Sequence, residues 1–353
     1  MRGLLSRFET GLTTMRSPAP TTPSPISVSA RPDRRPAALW DYIRIMRPDH
    51  WIKHVLIAPG MVFALIMTQS GTDDPASLAI RLALIVLSAM ALSSANYTIN
   101  EWLDAPFDAA HPVKRHRPAV AAAMSPTWVI IQYYALSLIG LALASLVGTA
   151  ALVTATLFWG FGIIYNVRPL RAKDRAFVDV VVESVNNPLR FLMGWFAVVP
   201  DLAPPVSILI AYWCGGAFLM TAKRISEHRA IVAAGGEAML AAYRPSFARY
   251  TSATLTASAF AYAQGFAFMM AVFIVKYRIE YLVAVPLLVA LFVAYMRLAM
   301  TPDSAAARPE DLMRQPFVLG LAALTLGLFA LFTHIDLPWL ASLSSSDLIQ
   351  LAE

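Results

Sequence analysis

Long apolar stretches recur along the chain from Trp51 to His334, and short polar segments separate them. Their lengths approach the ~20 apolar residues that an α-helix needs to cross a bilayer. The pattern predicts about nine membrane-spanning helices, with a count of eight or ten left open, near residues 54–67, 77–99, 128–146, 149–165, 185–200, 205–222, 252–275, 281–295 and 316–334. The predicted fold class is therefore an all-α, polytopic membrane helical bundle.

The two ends of the chain lack such stretches. Residues 1–38 include the run SPAPTTPSPISVSARPDRRP and few large apolar side chains, which predicts a disordered basic tail. Residues 39–340 form the predicted transmembrane domain, and residues 341–353 form a short C-terminal tail. The first residues have no continuous apolar stretch of the secretory type, whereas a mitochondrial-type presequence stays open.

Composition agrees with a membrane protein, because 58% of the residues are hydrophobic and only 14% are charged. Soluble domains carry about 25% charged residues. The net charge of +6 would fit a nucleic-acid binder. In a membrane chain it more often reflects basic cytoplasmic loops and anionic ligands, so no nucleic-acid partner is predicted. The single cysteine, Cys214, cannot form an intrachain disulfide.

Lysine and arginine residues concentrate in the segments that follow the even-numbered spans. The positive-inside rule then predicts a cytoplasmic N-terminus, and only Lys276 and Arg278 fall on the opposite side. The expected location is a bacterial inner (plasma) membrane. Because the outer loops are short, we expect the chemistry at the cytoplasmic ends of the helices.

A first polar constellation closes the second predicted span. Asn100 and Asp104 are four residues apart and share a helix face, which Asp108 would extend by one turn. Oxygen ligands of this kind suit Mg²⁺, which completes its shell with substrate phosphates. Lys114 and Arg117 follow and could hold phosphate oxygens. A polar helix end facing water, with a basic membrane anchor behind it, explains the same residues.

A second constellation follows the fourth span. Asp179 and Glu183 again share one helix face and could hold a second Mg²⁺, with Arg171 and Lys173 on phosphate. A charged helix start stabilised by the helix dipole is the alternative. Arg190 lies inside an apolar span, where an arginine is a functional candidate by default. It could equally be a buried ion-pair partner of one of these carboxylates.

Together these segments resemble the UbiA-type polyprenyl transferase family. The run from Asn100 to Asp108 and the loop ending in Arg117-Pro118 resemble its N-D-x-x-D-x-x-x-D and K-x-R-P motifs. Tyr165 to Lys173 resembles its Y-x-x-x-P-L-R-x-K motif. The resemblance implies a UbiA-like fold, and it implies that the carboxylates bind Mg²⁺ and the diphosphate of the donor. The implied metal ligands are Asn100, Asp104, Asp108, Asp179 and Glu183.

The sequence departs from the family pattern at two positions. Glu101 stands where the family has an aspartate, which keeps the charge on a longer side chain. Pro106 lies between Asp104 and Asp108, and proline does not fit a regular helix interior. We therefore expect Asp108 on a loop.

Three further segments resemble the decaprenyl-phosphate phosphoribosyltransferase branch. They are R-P-x-x-W-x-K at 47–53, K-R-x-x-E at 223–227 and R-P-x-x-x-x-Y at 244–250. In that branch the donor is phosphoribosyl pyrophosphate and the acceptor is a polyprenyl phosphate in the bilayer. The run from Tyr165 to Lys173 looks more like the prenyl-transferring members. The implied substrate-binding residues are Asn100, Lys53, Lys114, Arg117, Tyr165, Arg171, Lys173, Lys223 and Arg224.

The function predicted from the sequence is Mg²⁺-dependent transfer from a pyrophosphate-bearing donor, with phosphoribosyl transfer to a polyprenyl phosphate as the leading form. Asp104, Asp179 and Arg190 are the predicted catalytic residues. Transfer of a polyprenyl group from its diphosphate to an aromatic or other lipophilic acceptor is the first alternative. A membrane transporter is the second. The expected partners are a polyprenyl lipid, the donor and membrane lipids, and the oligomeric state stays open.

Overall fold

The computed structural model describes residues 34–68, 74–109, 114–301 and 315–344. Almost all of these residues are helical, and two two-residue strands, β1 (Arg35–Pro36) and β2 (Ala122–Ala123), pair in parallel. The α-helices are α1 Leu39–Ile45, α2 Ala58–Thr68, α3 Pro75–Asp108, α4 Pro118–Ala121, α5 Pro126–Ser145, α6 Thr149–Asn166, α7 Val178–Ser184, α8 Asn186–Val198, α9 Val206–Gly235, α10 Ala238–Tyr243, α11 Ser252–Tyr277, α12 Val285–Met300, α13 Pro316–His334 and α14 Pro338–Ser344. Most of residues 1–38 and 345–353 of the two predicted tails lie outside the described residues.

The prediction of a polytopic helical membrane bundle is confirmed. Within the described ranges, eight helical segments are long and apolar enough to cross a membrane. The predicted span at 185–200 corresponds to α8, which has only 13 residues and is separated by Val185 from the 7-residue helix α7. Neither helix alone has the length of a span. The break places the carboxylates of α7 directly before the apolar helix α8.

Two boundaries differ from the sequence prediction. The first span begins at Leu39, and its middle part, Pro48–Ile57, is a 3₁₀-helix. Helix α3 continues through Pro106 to Asp108, so the prediction that Asp108 lies on a loop is wrong. Pro106 has no N–H to donate to the Trp102 carbonyl, so the helix loses one hydrogen bond there, but it continues for two more residues and the Ala109 N–H bonds the Ala105 carbonyl at 3.2 Å.

Two of the apolar cores share helix α8. One joins α3, α5, α6 and α8 and includes Leu92, Phe158 and Met193. The other joins α2, α8, α9 and α11 around Phe191 and Trp195. Since α8 contributes to both cores, it is packed on two sides, and residues on its first turns are fixed relative to α3 and α2.

Helices α2 and α8 approach each other closely through glycines. A Cβ atom on Gly60 would overlap the carbonyl of Phe191, and one on Gly194 would overlap the carbonyl of Ile57. Small residues let membrane helices pack at such distances, because lipid supplies no hydrophobic force between them. This approach brings the 3₁₀-helix before α2 and the start of α8 to one region of the bundle.

Candidate active site

The polar end of α3 meets the loop that follows α6. Lys173 Nζ donates hydrogen bonds to both carboxylate oxygens of Asp104, at 2.7 and 2.8 Å, and to Asn100 Oδ1 at 2.7 Å. Arg171 Nη2 donates to Asp104 Oδ1 at 2.8 Å. The two motifs singled out in the sequence, although separated by some seventy positions, therefore form one cluster of oxygen ligands and cations.

The loop has an unusual backbone at Arg171, whose φ of 31° lies in the left-handed region. Such a conformation costs about 1–3 kcal/mol in a residue other than glycine, and it is found mostly at functional sites. The side chain is held by the Asn166 carbonyl at 3.2 Å and by Asp174 Oδ2 at 2.7 Å. This turn lets Arg171 and Lys173 both reach Asp104.

Lys173 is only 5% exposed. Burial lowers the pKa of its ammonium group to about 8, and the charge of Asp104 and its hydrogen bond act in the opposite direction. Lys173 is therefore a cation near neutral pH whose charge depends on Asp104. If a ligand displaces Asp104 from Lys173, the ligand must itself place a negative charge beside the ammonium group for Lys173 to stay charged.

Asp108 belongs to a different side of α3. Arg117 Nη1 donates to Asp108 Oδ2 at 2.6 Å, and the Ala119 N–H donates to Glu101 Oε1 at 3.4 Å. Seven residues return a helix to nearly the same side, whereas eight overshoot by about 80°. Asp108 thus lies above Glu101 rather than above Asn100, and these two carboxylates anchor the loop that carries Arg117.

The carboxylate of Asp179 is fully buried. Arg224 Nε donates to Asp179 Oδ2 at 3.1 Å, and Tyr250 donates its hydroxyl proton to Asp179 Oδ1. Burial and the charge of Asp179 raise the pKa of the Tyr250 hydroxyl, which keeps it a donor. Arg224 also bonds Glu227 at 2.6 Å. One carboxylate oxygen of Asp179 therefore accepts from an arginine, and the other accepts from a tyrosine hydroxyl.

Tyr165 and Arg244 connect the two carboxylate clusters. Arg244 Nη2 donates to the Tyr165 hydroxyl at 2.8 Å, and Arg244 Nε donates to the Lys173 carbonyl at 3.0 Å. Arg224 Nη2 lies 3.5 Å from the same hydroxyl. One hydrogen-bonded network thus runs from Asp104 through the loop after α6 to Asp179.

A cavity of about 110 Å³ lies between α3, α6, α7 and α8. Its polar lining contains Ser93, Asn96, Tyr97, Asn100, Tyr165, Asn166, Glu183, Asn186 and Arg190. Glu183 faces this cavity, and among the described residues no cation lies within ion-pair distance of its carboxylate, whereas Asp179 is not part of the lining. The cavity has room for a polar head group, and a lipid tail would have to leave it between helices.

Three of the predicted cations lie at this cavity or near residues that line it. Arg190 lines it directly, Lys53 Nζ lies 5.9 Å from the ring centre of the lining residue Tyr97, and Lys223 interacts electrostatically with Lys53 and Glu183. Arg190 forms no direct ion pair with Asp179 or Glu183, because no described carboxylate oxygen lies within 4 Å of it, although the charge of Glu183 acts on it. The side chain of Lys114 lies outside the described part of the chain.

Several residues of the network were not predicted as site residues. Arg244 and Tyr250 belong to the R-P-x-x-x-x-Y segment, so the sequence contained a signal for both. Asn166, whose Oδ1 accepts from Lys173 at 3.2 Å, and Tyr97 carried no such signal. Their roles arise only from the packing of α3 against α6.

The donor atoms of the site fit Mg²⁺. Among the residues that the structure describes, no three His, Cys, Asp or Glu side chains converge as a complete metal site. Mg²⁺ needs no such cage, because it commonly takes one or two carboxylates and completes its octahedron with water and substrate phosphates. Asn100 and Glu183 line the cavity, Asp104 lies one turn from Asn100, and all three offer hard oxygen ligands.

Comparison with known proteins places this architecture. The sequence model of the UbiA prenyltransferase family matches residues 56–314. A decaprenyl-phosphate phosphoribosyltransferase of Mycolicibacterium smegmatis is 29% identical over 238 residues, 63% of this chain and 68% of the relative. The Mycobacterium tuberculosis protein of that name is 29% identical over 217 residues, 60% of this chain and 67% of the relative. A solved UbiA homologue of Archaeoglobus fulgidus, bound to GPP and Mg²⁺, superposes with a TM-score of 0.61 at 20% identity, covering 84% of this chain and all of that one (100%).

Proposed function

The chain belongs to the UbiA prenyltransferase family and is an integral membrane transferase, and we propose that it transfers a phosphoribosyl group from phosphoribosyl pyrophosphate to a polyprenyl phosphate. The choice of this donor is supported by the likeness to the two mycobacterial relatives. We further propose that the N-terminus and the site face the cytoplasm of a bacterial inner membrane. Family membership as a transferase leaves no place for the transporter alternative.

The donor pyrophosphate binds at the end of α3 in this proposal. Asn100, Asp104 and Glu183 would hold Mg²⁺, which would supply positive charge to the leaving pyrophosphate. Lys173 and Arg171, which bond Asp104, would donate to the phosphate oxygens of the donor. The observation that carries the assignment is this joint cluster of oxygen ligands and cations, opening to a polar cavity.

Asp108 and Asp179 each have an arginine on the carboxylate, Arg117 at 2.6 Å and Arg224 at 3.1 Å. We propose that their first role is to aim these arginines at the phosphates. For either aspartate to ligate a metal, as the family resemblance implies, the ion would have to replace its arginine. Tyr165, between Arg224 and Arg244, keeps the two basic groups apart.

In the transfer step, an oxygen of the acceptor phosphate forms the new bond to C1 of the ribosyl group. The bond between C1 and the pyrophosphate oxygen breaks, and pyrophosphate leaves with that electron pair. A phosphate monoester dianion becomes a diester monoanion, so charge balances without a proton transfer. The site therefore needs no general base for this acceptor, which agrees with the full burial of Asp179.

Prenyl transfer from a polyprenyl diphosphate to an aromatic acceptor is the second candidate. It is favoured by the run from Tyr165 to Lys173, which looks more like the prenyl-transferring members of the family. Attack by a ring carbon would require a base to remove the ring proton. Glu183 is the described carboxylate that faces the cavity without an ion-pair partner, so it would carry that role.

An assay of pyrophosphate release distinguishes phosphoribosyl transfer from prenyl transfer. Purified protein in nanodiscs with Mg²⁺ receives either phosphoribosyl pyrophosphate with polyprenyl phosphate, or polyprenyl diphosphate with an aromatic acid. We expect release with the first pair only. Release with the second pair alone would refute the ribosyl assignment and favour prenyl transfer.

A further inference from the structure

Arg190 is a buried cation with no carboxylate oxygen within 4 Å among the described residues, although the charge of Glu183 acts on it across the cavity. It lies on the first turns of α8, in an apolar core helix, and is 8% exposed. Its Nη1 donates a long hydrogen bond of 3.4 Å to the Asn186 carbonyl, its guanidinium lies 5.0 Å from the ring centre of Phe158, and its Nε has no partner. A charge in such a place is costly unless an anion compensates it.

The other arginines and the lysine of the site differ in this respect. Arg117 has Asp108 at 2.6 Å, Arg171 and Lys173 have Asp104 at 2.8 and 2.7 Å, Arg224 has Asp179 at 3.1 Å, and Arg244 has Asp179 at 3.9 Å. Among the described residues, Arg190 and Lys223 have no carboxylate oxygen within 4 Å. The bundle thus contains two kinds of cationic group around one cavity.

Arg190 and Lys223, together with Lys53, have the composition of a phosphate site. Arg190 lies at the cavity wall, Lys53 stands over Tyr97 of the same wall, and Lys223 is close enough to Lys53 and Glu183 for their charges to interact. The three cations come from α8, the 3₁₀-helix Pro48–Ile57 and α9, so several elements converge on it. The charges of Glu227 and Glu183 act on Lys223, and Glu227 also bonds Arg224 at 2.6 Å. Arg190 is the member of this group whose buried Nε has no partner and can donate to a ligand.

We propose that Arg190, with Lys53 and Lys223, binds the phosphate group of the acceptor lipid at a subsite separate from the donor pyrophosphate. The inference rests on the proposed function, which requires two phosphate-bearing substrates at one cavity. The subsite holds the acceptor oxygen facing the ribosyl C1 across the cavity, while Lys173 and Arg171 stay with the leaving pyrophosphate. An arginine in fixed geometry can bind two oxygens of the acceptor phosphate at once.

Binding of a short lipid phosphate tests the subsite directly. Farnesyl phosphate and uncharged farnesol are titrated by calorimetry into wild-type protein and Arg190→Gln in neutral phosphatidylcholine nanodiscs. Loss of charge-assisted hydrogen bonds should weaken farnesyl phosphate binding by about 10- to 100-fold and leave farnesol binding unchanged. Arg190→Lys should recover part of this loss. Arg81→Gln is the matched control, because Arg81 is also an arginine in a span but bonds the Ala197 carbonyl and Ser77.

Steady-state kinetics distinguish failure of the subsite from failure of the proposed function. With phosphoribosyl pyrophosphate and polyprenyl phosphate, Arg190→Gln should raise the acceptor KM and leave the donor KM within about twofold. If the variant instead loses donor affinity and keeps farnesyl phosphate affinity, the subsite is refuted while the proposed function stands. If wild-type protein does not turn over this pair, the proposed function fails. Arg190-dependent binding of farnesyl phosphate would then still support an anion subsite, and equal binding by both proteins would overturn it.

Discussion

Asp104→Asn is the substitution whose consequences follow most directly from the structure. The amide has almost the shape of the carboxylate but no charge, so Lys173 and Arg171 lose a common anion at 2.7 and 2.8 Å. Both cations are nearly buried, with 7% and 9% of their side chains exposed. The change therefore affects the cluster electrostatically and leaves its packing intact.

Two effects determine how far Asp104→Asn lowers turnover. Removing one partner of a buried ion pair costs about 3–5 kcal/mol, and because 18% of the Asp104 side chain is exposed we expect about 3 kcal/mol. The pKa of Lys173, already lowered to about 8 by burial, falls further once Asp104 no longer opposes burial. A lost metal ligand and a weakened cation together should lower turnover by about 100- to 1,000-fold.

The assay is steady-state pyrophosphate release in nanodiscs with saturating Mg²⁺, alongside thermal unfolding of the same samples. Asp174→Asn is the matched control, since Asp174 also accepts from Arg171 at 2.7 Å but is 28% exposed and does not line the cavity. We expect this control to keep turnover within about fivefold. Turnover by a well-folded Asp104→Asn protein within that same range would refute the reasoning. Equal losses in both variants would assign the effect to the orientation of Arg171.

Three further outcomes follow from the same structure. The affinity of metal-free protein for inorganic pyrophosphate should fall between about pH 7 and about pH 9, because Lys173 is charged below its pKa of about 8 and neutral above it. Calorimetry on Lys173→Arg should not show this loss of affinity, because the arginine stays charged. Gly194→Ala should lower the melting temperature, because its Cβ atom would overlap the Ile57 carbonyl at a cost of about 1–3 kcal/mol. Gly160→Ala should not lower it, because the space around Gly160 is open. Equal melting temperatures of the two variants would contradict the close approach of α2 and α8. Glu183→Gln should raise the Mg²⁺ concentration for half-maximal activity by about tenfold or more, and an unchanged Mg²⁺ titration would remove Glu183 from the metal site.

Hydropathy predicted the bundle because membrane spans are encoded locally. Each span needs about 20 apolar residues in sequence, and no distant contact is required to recognise it. The start of the predicted span at Val185 agrees with the break between α7 and α8, whereas the short length of α8, 13 residues, was not predicted. The continuation of α3 through Pro106 was not predicted either, because proline usually ends a helix and here the helix continues for two more residues.

The candidate site was predicted in part. Their spacing predicted that Asn100 and Asp104 share one helix face, and in the structure both side chains accept hydrogen bonds from Lys173. Which cation meets which carboxylate was beyond the sequence, because Arg224 and Asp179 are separated by many residues and meet only in the folded bundle. The metal, phosphate and catalytic roles of these residues stay predictions.

The most direct test of the central claim is the mass of the lipid product. Purified protein is incubated with Mg²⁺, phosphoribosyl pyrophosphate and polyprenyl phosphate, and the extracted lipid is analysed by mass spectrometry. The account predicts a polyprenyl phosphate whose mass has increased by one phosphoribosyl group, formed in equal amount with pyrophosphate. Unmodified lipid from active protein, together with a prenylated aromatic product when polyprenyl diphosphate and an aromatic acid are supplied instead, would contradict it.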